Sequence, residues 1–403
     1  MFIERLEGKW LDHPFWKTRF VLDDDYRLTA LQQSRVEWVI IDADKGADLP
    51  DEAPEPVQRA APQLDQRRNQ MARPTAPLSP PTRAPAPPPT MAMLRRHSVR
   101  VQEFGKARTI ARKAEKKFAS MIMEAKLGAQ VNVTTANEIV ADVFASVERD
   151  PYAFSGLMRC KQGAPDIYRH SLIVSALMIA LARKMKYSWE EARTAGQAGL
   201  LMDIGHAYLS PGIPVEQHVI LGHEVLSATE NLAASVVSVC LKHHERLDGS
   251  GMPGGLVERE IDELSRMAAI CDAYATIEAS DNLATIADPA EAINQLVNAP
   301  EKFAAEIVRL FIEAVGLYPI GSFVELQSAH VAMVVFGDPE GTDLPTVRTF
   351  YDLTTGRKVR GENIDLRCCF GRDRIVGSYD ISTLDVGDLS ALRERILTIA
   401  LRA

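Results

Sequence analysis

Cysteine is scarce in this chain and poorly placed for either of its structural uses. The five cysteines, Cys160, Cys240, Cys271, Cys368 and Cys369, are odd in number and show no C-x-x-C spacing. That pattern excludes a disulfide framework and a cysteine zinc site. Long hydrophobic runs are missing as well, since no uninterrupted apolar stretch approaches the length of a membrane span. Met1-Phe-Ile is followed at once by Glu4 and Arg5, so no basic segment with a long apolar core opens the chain. A cytoplasmic protein with no membrane contact is expected. A basic excess is also absent: 46 Lys and Arg face 54 Asp and Glu, for a net charge of -8. This balance argues against a nucleic-acid polymer or a membrane surface as partner.

Histidine is what the chain concentrates. Six of its nine histidines, His170, His206, His218, His223, His243 and His244, fall within one stretch, accompanied by Asp166, Asp203, Asp248 and Asp272. Imidazole with carboxylate, and no cysteine at ligand spacing, suits iron, manganese or zinc. Asp166 and His170, at i and i+4 of an apolar helical pattern that continues through Leu181, share one face. Gly199-Leu-Leu-Met-Asp-Ile-Gly-His206 sets Asp203 in an apolar segment, where an unpaired carboxylate is expensive to bury and a cation would remove the cost. His218 and His223 lie on a further helical pattern. The histidine pair His243-His244 is followed by Glu245-Arg-Leu-Asp-Gly-Ser-Gly-Met-Pro-Gly-Gly-Leu256, a Gly/Pro loop that lets backbone approach a ligand. Taken alone, His223 reads as a core histidine, and His206 equally as core residue or ligand.

In order, His170, Asp203, His218, His243-His244-Glu245, Asp248-Gly-Ser-Gly-Met-Pro253 and Asp272 resemble the HD-GYP family of bacterial phosphodiesterases, across about residues 150 to 290. The resemblance implies an all-helical domain that binds two or three divalent metals, iron or manganese foremost, and hydrolyses cyclic di-GMP to the linear dinucleotide or GMP. It implies Asp203 as the carboxylate shared between metals, His218, His243 and His244 as ligands of one metal, and His170 and Asp272 as ligands of the other. Asp166 would add a carboxylate, and Asp248, Gly249, Gly251, Met252 and Pro253 would shape the nucleotide pocket.

Departures from the family pattern are pointed. Met202 stands where the name-giving histidine should precede Asp203, and a thioether is a poor ligand for such ions. His206 replaces a lysine, Met252 replaces a tyrosine, and Asn282, Thr285 and Ile286 fall where cations usually clasp phosphate. One metal position is therefore expected to be complete and the other short of a ligand, with turnover impaired. His206, at i+3 from Asp203, is the candidate to supply the missing imidazole and joins Asp203 as a catalytic candidate. The alternative is a degenerate signalling module that works through protein partners such as diguanylate cyclases or motility proteins. Hydrolysis of another phosphoester is a third reading.

The expected architecture is mainly α: an all-helical HD-type domain with a small α+β N-terminal domain and a small β-rich C-terminal extension. Residues 1–46 carry a β-rich run at Val36-Glu-Trp-Val-Ile-Ile-Asp42 and, in Trp10-Leu-Asp-His-Pro-Phe-Trp16, resemble the small domain that precedes many HD-GYP domains. Residues 47–95 are rich in Pro and Ala and read as a disordered linker. Residues 96–150 form a helical connector whose charges read as a solvated face, and which either docks on the HD core or pairs in a homodimer. The HD-type domain follows at 151–316. Strand signals from Phe323 and His330 onward place a meander or small barrel in 317–403.

Overall fold

The computed structural model describes residues 2–7, 20–21, 38–41, 91–127, 130–161, 167–279, 288–338, 344–369 and 373–402. Asp166, the segment Ser280–Ala287 with Asn282, Thr285 and Ile286, the Trp10–Trp16 segment and the proline-rich stretch 50–90 lie outside those residues. The chain separates into two compact units, 1–82 and 83–403.

In the first unit, β1 (Phe2–Glu7) is the centre of a three-stranded antiparallel sheet between β2 (Phe20–Val21) and β3 (Trp38–Ile41). Its register pairs Phe2 with Val21 and Glu7 with Trp38.

The second unit is mainly helical. Helix α1 (Met91–Lys126) buries Phe104, Ala107, Ala111, Ala114, Phe118, Met121 and Ala125, a seam that advances by alternating three and four residues. That period keeps one apolar stripe against a neighbour for the length of the docked helix. Lys113 reaches Asp142, Arg149 reaches Glu103 and Lys161 reaches Glu115, so the polar flanks tie α1 to α2 (Val133–Arg149) and to the end of α3 (Ala153–Cys160). Such exposed pairs contribute little to stability; the buried seam holds the helix down. Helix α2 starts under an Asn132 cap, whose side chain accepts from the Thr135 N–H.

Helix α4 (Ile167–Lys184) is buried from Ser171 to Ala182 and runs through the middle of the bundle. It packs against α5 (Trp189–Leu201), which opens with a Ser188–Glu191 capping box. Helices α6 (His218–Ser227), α7 (Ala234–Lys242), α8 (Glu263–Ala279), α9 (Pro289–Val297) and α10 (Ala305–Val315) complete the layer around α4 and α5.

The C-terminal strands form an antiparallel meander, β4 (Phe323–Leu326), β5 (His330–Phe336), β6 (Thr346–Asp352) and β7 (Arg357–Lys358). β8 (Asn363–Asp365) pairs with β6, and β9 (Ile375–Ser378) returns to pair with β4. Helix α11 (Leu389–Ala400) covers β5, and Arg393 donates to the Gly321 carbonyl at 3.1 Å. The tail after the meander is thus part of the sheet layer.

Candidate metal centre

Asp203 lies where α5 gives way to a short 3-10 turn, Ile204–Tyr208. Gly205 in that turn packs directly on α6: a β-carbon there would sit 1.8 Å from the His218 carbonyl oxygen and 2.7 Å from the Gly222 nitrogen. Only glycine allows this approach, and the approach sets the start of α6 beside Asp203. His218 Nε2 then stands 3.4 Å from Asp203 Oδ1, and His243 Nε2, from the end of α7, meets the same oxygen at 3.4 Å. The two Nε2 atoms are 3.4 Å apart. From α4, His170 Nε2 faces the other oxygen, Asp203 Oδ2, at 3.4 Å and Asp272 Oδ1 of α8 at 3.0 Å. His244 Nδ1 lies 3.5 Å from Asp272 Oδ2.

The ring nitrogens on the far sides explain which atoms are free. His218 Nδ1 donates to the Val215 carbonyl at 2.7 Å, and His243 Nδ1 to the carbonyls of Val239 and Cys240 at 3.1 and 3.0 Å. These bonds fix the Nδ1–H tautomer, so each Nε2 lone pair is turned toward Asp203, as in metal-ligating histidines. Burial would raise the Asp203 pKa, but contacts from His170, His218 and His243 hold it well below the usual carboxylate range. Asp272 is likewise lowered against its burial, first by His170. Both are charged and buried, and Asp203 Oδ2 has no hydrogen-bond partner. Lone-pair nitrogens converging on an ionised, under-satisfied carboxylate fit a divalent cation, which removes the cost of burying that charge.

Asp203, His218, His243 and His244 form one group that could hold a metal ion, and His170, Asp203 and Asp272 a second. Asp203 is common to both. His206 lies 3.8 Å from Oδ1, and its ring stacks on His218 with centroids 4.0 Å apart. It therefore sits on the Oδ1 side, with His218 and His243, and not on the Oδ2 side with His170. Burial and the neighbouring His218 lower its pKa, leaving a neutral imidazole. Met202 is fully buried and does not line the cavity above the site. His223 joins neither group.

That cavity, about 520 Å³, has His170, Asp203, His206, His218, His244 and Asp272 as its polar floor. Of the loop after the histidine pair, only Met252 reaches it. Glu245, buried, organises this loop by accepting from the Gly254 and Leu256 N–H groups at 2.6 and 2.9 Å. Gly251 passes so close that a β-carbon would meet Arg246 N at 2.3 Å, and Gly249 takes a φ of 77°. Asp248 closes a turn onto Ser250, and Pro253 follows Met252 through a cis bond. Sequence reasoning missed Glu245 as the loop's anchor and Ile122, Lys126, Tyr168 and Glu216 as cavity residues; a Glu directly after the ligand pair was the one available signal.

Residues 157–305 match the HD domain family, and residues 1–136 match a domain of unknown function, DUF3391. Cyclic di-GMP phosphodiesterase PA4108 of Pseudomonas aeruginosa is 34% identical over 391 residues, which cover 94% of this chain and 89% of that protein. The chain belongs to the HD-GYP family. Two further relatives of this HD-GYP chain are cyclic di-GMP phosphodiesterase PdeB of Borreliella burgdorferi, 25% identical over 203 residues (47% of this chain, 53% of that protein), and the cyclic di-GMP phosphodiesterase response regulator RpfG of Xanthomonas campestris, 34% identical over 108 residues (23% and 29%). The DUF3391 match extends beyond residue 46, through the proline-rich stretch and α1, into the start of α2.

Proposed function

We propose that this HD-GYP protein is a metal-dependent phosphodiesterase that hydrolyses cyclic di-GMP to the linear dinucleotide or GMP. The carrying observation is Asp203, a buried ionised carboxylate with three imidazole nitrogens at 3.4 Å and one oxygen that lacks a hydrogen-bond partner. The name of the relative that matches 94% of the chain supports the substrate.

Asp203, His218, His243 and His244 would hold one divalent ion and His170, Asp203 and Asp272 another, with iron or manganese suited to this donor set. When bound, such ions lower the pKa of water and neutralise charge on phosphoryl oxygens. The chain's own groups do the remaining work. The carbonyl bonds of His218 and His243 would orient the ligand nitrogens. Neutral His206 offers Nε2 as a proton acceptor beside the reacting centre. Asp248, Gly249, Gly251, Met252 and Pro253 shape the nucleotide side of the pocket, with Met252 in contact with it. Met202 leaves the Oδ2 set with His170 as its one imidazole, so turnover below that of a fully liganded site is expected. Asp166 would complete that set with a third carboxylate.

The division proposed is 1–46, 47–95, 96–150, 151–316 and 317–403, with helix α1 starting at Met91 inside the second segment, and the enzyme is placed in the cytoplasm. Among the described residues no helix is long and apolar enough to cross a membrane. Diguanylate cyclases, motility proteins or a second copy of the chain would be partners in addition to hydrolysis. The purely non-catalytic reading is not favoured, because both potential ligand groups survive around Asp203. The test is chromatography of cyclic di-GMP incubated with protein purified anaerobically and loaded with manganese or iron. Linear dinucleotide or GMP is expected, and a chelator should stop its formation; intact substrate at stoichiometric enzyme would refute the proposal.

A further inference from the structure

The catalytic cavity has a rim as well as a floor, and helix α1, which carries none of the potential metal ligands, contributes to that rim. Ile122 and Lys126 come from the last turns of α1, Ile167 and Tyr168 from the start of α4, and Glu216 from the segment before α6. Lys126 is the only lysine or arginine among the described cavity residues. It is exposed, and its side chain makes no ion pair or hydrogen bond among the described residues. Glu216, the rim's carboxylate, is likewise exposed and without such a partner, so the two opposite charges are not engaged with one another.

Position at the rim is imposed by packing. Phe118, Met121, Ile122 and Ala125 are buried, and Phe118 meets Tyr168 edge to face with centroids 6.0 Å apart. The end of α1 is therefore fixed against α4, which sets the backbone of Lys126 at the cavity. A cyclic dinucleotide carries two phosphodiester anions, only one of which is at the reacting centre at a time. A cation at the rim would attract the second, and Lys126 is the lysine or arginine that the described lining offers.

We propose that Lys126, on the connecting helix α1, is a substrate-binding residue that holds the phosphodiester not undergoing hydrolysis, making α1 part of the catalytic pocket. This rests on the phosphodiesterase reading above. It places the phosphate-binding cation on the helix before the HD domain, at a position unrelated in sequence to Asn282, Thr285 and Ile286.

The test compares full-length, manganese-loaded wild type with Lys126→Ala and Lys126→Arg, reading KM and kcat for cyclic di-GMP and bound manganese. Lys126→Ala should raise KM about tenfold, the loss of one charge-assisted contact, with kcat and manganese content within about twofold of wild type. Lys126→Arg should recover most of the KM. Added salt should raise the wild-type KM more steeply than that of Lys126→Ala. An unchanged KM in Lys126→Ala, or no recovery with arginine, overturns the assignment. Should wild type not turn over cyclic di-GMP at all, the functional reading fails by itself. Equilibrium dialysis of cyclic di-GMP then judges Lys126: weaker binding by Lys126→Ala supports its role, and equal binding refutes it.

Discussion

Gly205 is the position at which the account of the metal centre can be broken by one methyl group. In Gly205→Ala the new β-carbon would stand 1.8 Å from the His218 carbonyl oxygen and 2.7 Å from the Gly222 nitrogen. Both are backbone atoms of α6, so no side chain can rotate out of the way. The helix must recede by about 1.5 Å before the contact becomes ordinary. His218 rides on that helix, its Nε2 only 3.4 Å from Asp203 Oδ1, and metal ligation tolerates errors of about 0.2 Å. Overpacking of this kind costs about 1–3 kcal/mol in stability, and the loss of one ligand from a four-residue set should cut metal affinity at least about tenfold. The assay is urea unfolding together with bound manganese after dialysis, for Gly205→Ala and for Gly105→Ala as control. Gly105 lies in α1 with nothing within 4 Å of a β-carbon, so alanine there should stabilise by about 0.5–1 kcal/mol and leave metal content unchanged. A Gly205→Ala protein that binds manganese and unfolds like wild type would refute the reasoning.

Three other outcomes are expected. Glu245→Ala strips the buried acceptor of the Gly254 and Leu256 N–H groups, and urea unfolding should register a loss of about 2–3 kcal/mol, with bound manganese changed little. Met202→His supplies the imidazole that the Oδ2 set lacks; bound manganese should rise by up to one equivalent and turnover by about tenfold, and a protein with neither gain would remove the ligand explanation for Met202. In the metal-free chain burial would lower the His170 pKa, but Asp203 and Asp272 raise it to about 10 from an ordinary 6.5. Its folded value lies above its unfolded one, so this stabilisation is full below about pH 6.5 and is lost as pH rises toward about 10. Urea midpoints of chelator-treated protein should fall across that window, and those of manganese-loaded protein should fall less.

The candidate metal centre was legible because ligation would need particular residue types. His170, Asp203, His218, His243, His244 and Asp272 stand out as polar groups set in apolar helical pattern, and the fold gathers the other five around Asp203. The mainly helical class and the C-terminal meander were legible for a similar reason, since periodicity reports which face of an element is buried. It does not report what that face meets. Lys126 belongs to a helix whose charges read as solvated, and the docking of Phe118 on Tyr168 is what carries it to a cavity formed 40 and more residues later. Gly205 looks like any glycine in a turn until the His218 carbonyl is placed above it. Helical spacing alone makes His206 a stand-in for the histidine missing at Met202; the 3-10 turn puts it instead beside Oδ1, stacked on His218. Local spacing carried the potential ligands, and long-range packing decided the side of Asp203 on which each lies.

The most direct test of the central claim is turnover and bound metal in Asp203→Asn, measured beside wild type on cyclic di-GMP. The amide keeps the shape of the carboxylate but removes the charge and one acceptor shared by both potential metal sets. The account predicts hydrolysis by wild type, and loss of both manganese and product formation in the variant. Hydrolysis that persists in a variant without bound metal would contradict it.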